Sequence, residues 1–254
     1  MIARVQRLNL AQLINQLKHD YRSGFFQNQS HIDNNLTSQN QILEGSADTC
    51  LEYFKQIVEN TVNKSGEPRL SKCQSKDKIE KDTNLATSML FTISKEHFDK
   101  IENKSEWITS YCTSILNQLK TDYGEDCIKS AVLHNDEPDA APHMQVIIAP
   151  QATIKQGNRF GSKERKVISH AALFVDNIKD MKRWRISGET SEKSKLGKFQ
   201  TRYAQAVAHL GIVRGEENAW HKRHQPSRPS AKPEAPKRFT SLVEAKKKAC
   251  TLNQ

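Results

Sequence analysis

The sequence predicts an α+β domain, with a central antiparallel sheet that carries helices on one face and is followed by a helical C-terminal portion. Three observations carry that expectation. Segments of helical period alternate along the chain with short, β-branched or alternating segments. The two strongest strand signals, IKSAVLH and HMQVIIAP, follow each other across a turn, NDEPDAAP, rich in acids and prolines, so they pair antiparallel. A chain of 254 residues, 36% hydrophobic, has the material for one full core rather than two equal ones.

Each element follows from local chemistry. ARVQRL alternates apolar and polar residues and reads as a short strand; AQLINQLKHDYR continues with Leu13, Leu17 and Tyr21 at helical spacing. His19 and Arg22, three apart, share a face of that helix. NQILEG is a weak strand. SADTCLEYFKQIVENTV opens with a Ser-Ala-Asp capping signal and puts Leu51, Phe54, Ile57 and Val58 on one side of a helix. KCQSKDKIEKDTN reads as an exposed basic connector. SMLFTIS is a strand, and SEWITSYCTSILNQLKTDYG is a long helix with Trp107, Tyr111, Ile115 and Leu119 repeating every four residues.

Charge is distributed unevenly. The net charge is +10 overall, made of −3 over residues 1–158, +8 over 159–224 and +5 over 225–254. A cationic last third favours a polyanionic partner. The segment QPSRPSAKPEAPKR carries four prolines within eleven residues, which forbids a continuous helix and marks an extended linker. The expected organisation is therefore a folded domain over 1–224 and a Pro-rich linker with basic tail over 225–254, where SLVEAKKKACTL has the composition of a short helix. No apolar run approaches the length of a membrane span, and the charged N-terminus does not read as a signal peptide, so the expected location is the cytoplasm, without membrane insertion. Five dispersed cysteines without a CxxC pair argue against a disulfide framework or a zinc knuckle.

The strand pair carries the chemistry. His134 ends the first strand, Glu137 sits in the turn, and His143 and Gln145, two apart, project from one face of the second. From the residues alone the two histidines are either polar flanks of a hairpin turn or ligands. As ligands, imidazole nitrogens with one or two oxygens suit Mn²⁺, Mg²⁺ or Zn²⁺, and so few protein ligands leave positions open for phosphate oxygens.

AVLHNDEPDAAPHMQVIIAP resembles the metal motif of the Mob/Pre (MobV-type) plasmid relaxases, members of a nuclease superfamily whose strand bears His, a hydrophobic residue, then His (HUH relaxase-like). IARVQRL followed by QLKHDYR resembles the family's first motif, EKDTNLATSMLFTIS the stretch before its central strand, and FQTRYAQAVAHLGIVRGEENAWHKRH its closing helix and Gly-Leu-x-Arg-Gly signature. The resemblance spans roughly residues 2–224 and rests on four motifs in order.

It implies metal-dependent, site- and strand-specific nicking of plasmid origin-of-transfer DNA, recognised as hairpin and single strand, through a covalent 5′-phosphoryl enzyme. It makes His134, His143 and Gln145 the metal ligands, with Glu137 a further ligand or a group that orients one. His19 becomes the nucleophile, Arg22 the cation beside the phosphate, and Tyr21 the rival nucleophile; helical geometry places Tyr21 on the apolar side with Leu13 and Leu17. Two departures stand out: Gln145 replaces the family's third histidine, and the turn from Glu137 to Pro142 is longer than usual. The amide oxygen of Gln145 is a harder donor and shifts preference toward Mn²⁺ or Mg²⁺.

Arg159, Lys163, Arg165, Lys166, Lys182, Arg183 and Arg185 surround Phe160 and Trp184, either as a solvated charged surface or as a DNA interface combining phosphate contacts and base stacking; Arg4, Arg7 and Arg214 are further DNA candidates. The family implies a conjugative coupling protein as a further partner. Ending soon after its linker, the chain reads as a short member or an excised relaxase domain, and as a monomer. A replication initiator with the same metal chemistry and a non-catalytic DNA-binding regulator are the alternatives.

Overall fold

A computed structural model describes residues 1–25, 29–70, 75–158, 161–175 and 194–215. The centre is a five-stranded antiparallel sheet of β1 (Ile2–Leu8), β2 (Gln41–Gly45), β4 (Ala86–Thr92), β5 (Ile128–His134) and β6 (His143–Ile148), ordered β1-β4-β6-β5-β2. A second sheet, ordered β3-β8-β7, joins β3 (Arg69–Leu70) to the hairpin of β7 (Gln151–Asn158) and β8 (Gly161–Ile168).

The helices are α1 (Leu10–Asp20), α2 (Ala47–Val62), α3 (Lys76–Asp82), α4 (Lys95–Phe98), α5 (Lys104–Tyr123), α6 (His170–Phe174) and, after residues 176–193, α7 (Lys195–Ala206). Capping boxes start the first two helices. Asn9 and Gln12 exchange side chain–backbone hydrogen bonds ahead of α1, and Ser46 and Thr49 do the same ahead of α2.

Alternation along the strands makes two cores. Ala3, Met89, Phe91, Ala131, Leu133, Met144, Val146 and Ile148 point to one face and pack against Tyr111, Ile115 and Leu119 of α5 and Phe199 and Tyr203 of α7. This is the helical layer expected opposite the candidate site. The other face buries Leu8, Ala86 and Ile147 under Leu13 and Leu17 of α1, Phe54, Ile57 and Val58 of α2 and Ile79 of α3. Helices thus also cover part of the site face, because α1 must lie over it for His19 to reach the sheet.

Two expectations need correction. The stretch read as an exposed connector forms α3 within its described part, anchored by fully buried Ile79, since one apolar residue on a short charged helix suffices when α1 and α2 supply the other walls. The stretch 151–168, read from the sequence only for its basic residues, forms the β7–β8 hairpin, on which Lys155, Glu164 and Lys166 are exposed. Among the described residues Cys50, Cys112 and Cys127 are buried free thiols, and no helix is long and apolar enough to cross a membrane.

Candidate active site

The β5–β6 register sets His134 directly opposite His143. Both are buried, with His134 Nδ1 3.2 Å from His143 Nε2. His134 Nε2 lies 3.0 Å from the Asp20 carbonyl oxygen, which can only accept, so Nε2 carries the proton and Nδ1 is left with its lone pair. On His143, Nδ1 faces the Ala141 carbonyl at 3.4 Å, which leaves Nε2 with its lone pair.

Two lone pairs therefore face each other, with Glu137 Oε1 3.8 Å from His143 Nε2. His134, Glu137 and His143 offer ligand atoms all within 4.8 Å of one another. A donor set of two neutral imidazoles and a carboxylate, each imidazole held through its other nitrogen by a carbonyl, fits a divalent cation. Burial pushes the His134 pKa down to about 2, reinforced by His143 and Arg22, and burial lowers that of His143. Gln145 is half-buried on the same face as His143, in a cross-strand row with Leu90 and Val132. Despite the longer turn, Glu137 stays beside the histidines, the turn being closed by the Ala140 N–H donating to the Glu137 carbonyl at 2.9 Å.

His19, in the last turn of α1, packs its ring, tilted, with its centroid 5.2 Å from that of His134 and remains 22% exposed, enough for a substrate to reach it. Its Nδ1 is 3.2 Å from Asp20 Oδ1 and its Nε2 3.3 Å from Arg22 Nη1. The expected pairing of His19 with Arg22 holds, but not by a shared helix face. The helix ends at Asp20, and Arg22 sits at φ 49°, a left-handed residue that folds its side chain back.

Arg22 is 5% exposed and clamped: Nε donates to Asp136 Oδ2 at 2.8 Å and Nη2 to Glu137 Oε1 at 3.1 Å, with a second bond from Nη2 to Asp136 Oδ1. Burial works against the Asp136 charge, yet hydrogen bonds from Arg22 and Asn40 hold its carboxyl down to about 2. Tyr21 takes the other direction. Its hydroxyl pairs with Ser130 Oγ at 3.1 Å, its ring packs against the α1–α2 core, and burial raises its pKa.

Sequence reasoning missed Asp20, Asp136 and His31. His31 Nε2 lies 3.9 Å from Glu137 Oε1 and, with His19 and Glu137, forms a further group of ligand atoms within 4.8 Å. Asp20 and Asp136 adjoin residues that were singled out, a signal of proximity only; His31 had none.

The family model for Mob_Pre, plasmid recombination enzyme, matches residues 1–229. The chain belongs to the Mob/Pre family. A plasmid recombination enzyme of Streptococcus agalactiae is 25% identical over 197 residues, covering 76% of this chain. The chain spans 37% of the length of that relative. Two crystal structures of the MobM relaxase domain (MOBV; Mob_Pre), Mn-bound and in complex with plasmid pMV158 oriT DNA, share the fold. One is 17% identical, covers 98% of both chains and has a TM-score of 0.55; the other is 19% identical, covers 97% of both and has a TM-score of 0.53.

In this Mob/Pre chain the basic candidates are scattered. Arg4 is exposed on the face of the sheet that bears His143, in a row with Leu90 and Gln145. Arg7 has the opposite parity and faces the Thr87–His170 pair, away from His134 and His143; strand alternation separates the two. Arg214, in the closing GIVRG segment, donates to Thr201 Oγ1 on α7 at 2.8 Å. On β8, Arg165 donates to the Leu70 carbonyl at 3.0 Å, Lys166 is exposed, and Lys163 is described by its strand position alone. Arg159, Lys182, Arg183 and Arg185, with Phe160, Trp184 and the tail 225–254, lie outside the described residues.

Proposed function

We propose that this chain is a plasmid mobilisation relaxase, nicking one strand of origin-of-transfer DNA in the bacterial cytoplasm and remaining joined to the 5′ end. The observation that carries the reading is the convergence of His134 Nδ1, His143 Nε2 and Glu137 beside the accessible imidazole of His19. Family membership, and the Mn-bound oriT complexes of the MobM domain, support it.

His134, His143 and Glu137, with Gln145 as a further oxygen donor, would hold Mn²⁺ or Mg²⁺, which supplies positive charge to the scissile phosphate. His19 Nε2 attacks phosphorus in line. The Nε2–P bond forms as the bond from phosphorus to the 3′ oxygen breaks, and the departing oxygen takes a proton from water. The phosphoramidate keeps the bond energy, so the reverse attack by a 3′-hydroxyl reseals the strand without ATP. Arg22 Nη1, at the nucleophilic nitrogen, donates to the phosphate oxygens as their charge grows. Tyr21, engaged with Ser130 and packed in the core, serves the position of α1.

The test is incubation with Mn²⁺ and a supercoiled plasmid carrying the cognate origin, followed by a denaturing gel. An adduct on the 5′ end that persists in Tyr21→Phe and disappears in His19→Ala is expected. Origin binding without nicking under any divalent ion would leave a DNA-binding regulator instead.

A further inference from the structure

We propose that Asp20 is the positioning residue of the nucleophile: its carboxylate accepts the Nδ1–H of His19, so that Nε2 presents its lone pair to the phosphate. The inference rests on His19 being the nucleophile and deepens that reading.

Hydrogen-bonding capacity decides the tautomer. Asp20 Oδ1, 3.2 Å from His19 Nδ1, accepts; Arg22 Nη1, 3.3 Å from His19 Nε2, donates, because a guanidinium has no acceptor. One arrangement satisfies both neighbours, with the proton on Nδ1 and the lone pair on Nε2. A free histidine side chain favours the proton on Nε2, so the site has to impose this one.

Burial reinforces the assignment. Asp20 is 2% exposed, in the last turn of a helix, where a negative charge opposes the helix dipole. Gln16 Nε2 donates to its Oδ1 at 2.7 Å, while Oδ2 is buried without a hydrogen-bond partner. A carboxylate so placed costs stability, and the group it faces is the candidate nucleophile. When Nε2 bonds to phosphorus the ring becomes an imidazolium still protonated on Nδ1, and Asp20 then faces a full positive charge. The carboxylate therefore contributes most as the covalent bond forms. Asp20 also reaches the metal centre by its backbone, the carbonyl accepting from His134 Nε2 at 3.0 Å. A side-chain substitution leaves that contact in place.

The test uses the whole chain as Asp20→Asn, Asp20→Ala and His19→Ala. Asn keeps the volume and an acceptor oxygen but removes the charge, which guards against simple misfolding. With Mn²⁺ and the origin plasmid, both Asp20 variants are expected to form the covalent adduct about a hundredfold more slowly, with origin binding unchanged. Nitrogen-15 spectra of histidine-labelled protein with Mg²⁺ supply the independent readout. His19, identified by its loss in His19→Ala, should show a protonated Nδ1 whose proton lies far downfield and moves upfield in Asp20→Asn and Asp20→Ala. An unprotonated Nδ1 that shifts on adding Mg²⁺ would assign the carboxylate to a cation and overturn the proposal. So would wild-type adduct rates in both Asp20 variants while His19→Ala is inactive. Adduct formation that survives in His19→Ala would instead remove the nucleophile reading beneath it.

Discussion

Arg22 holds its backbone at φ 49°, a conformation costing a non-glycine residue on the order of 1 kcal/mol. The compensation is its doubly bonded pair with buried Asp136, which also receives Asn40 Nδ2 at 2.7 Å. The clamp ties the residues just after α1 to the turn carrying Glu137. Asp136→Ala would remove two of the three carboxylate hydrogen bonds of a buried guanidinium and leave Glu137 as its remaining carboxylate partner; the expected loss is about 3 kcal/mol of unfolding free energy, measured by urea denaturation without metal. A pH dependence belongs to the same scale. The folded pKa of His134, about 2, lies below its ordinary 6.5. Between those values the unfolded chain binds the proton and the native one does not, so stability is full above pH 6.5 and declines as pH falls. From pH 7 to pH 5 the metal-free protein should lose roughly 2 kcal/mol. Urea midpoints over that range check it, with a flatter profile expected in His134→Gln.

The elements that build the site were legible wherever one periodicity sufficed. Leu13 and Leu17 of α1 and Phe54, Ile57 and Val58 of α2 could be read directly and bury as their spacing requires, and the apolar runs read as β5 and β6 bury on both faces. The β7–β8 hairpin was not legible, because a ladder with charged residues on both faces carries no apolar period. Helix α3 escaped because its single buried residue, Ile79, makes no pattern. At β2 the decisive residue is Gly45. It has φ 68° at the end of β2, just past the bulge between Ile42 and Glu44, and a Cβ there would run into the Lys129 carbonyl oxygen. Gly45→Ala should destabilise by about 1–3 kcal/mol, visible as a lowered urea midpoint; an unchanged midpoint would show that β2 can slide on β5.

Across the whole molecule, strand parity sorts the cations that local charge counting treats alike. Arg4 shares the face of His134 and His143, and Arg7 the face toward His170. Origin binding measured against salt concentration should separate them. Arg4→Ala is expected to weaken binding and reduce the slope by about one counterion, whereas Arg7→Ala should leave both unchanged. By itself the sequence determined the class of fold, the helices and strands of strong period, the His134, Glu137 and His143 group, and the likeness to Mob/Pre relaxases, since all of these lie in short stretches read by spacing. Only the tertiary structure decided that Asp136 clamps Arg22, that Asp20 meets His19 with its side chain and His134 with its carbonyl, that His31 comes up to Glu137, and that Arg4 and Arg7 part company. Each depends on segments brought together by closing the sheet under α1, and a hydrogen bond across 114 residues, such as Arg22 to Asp136, leaves no period along the chain.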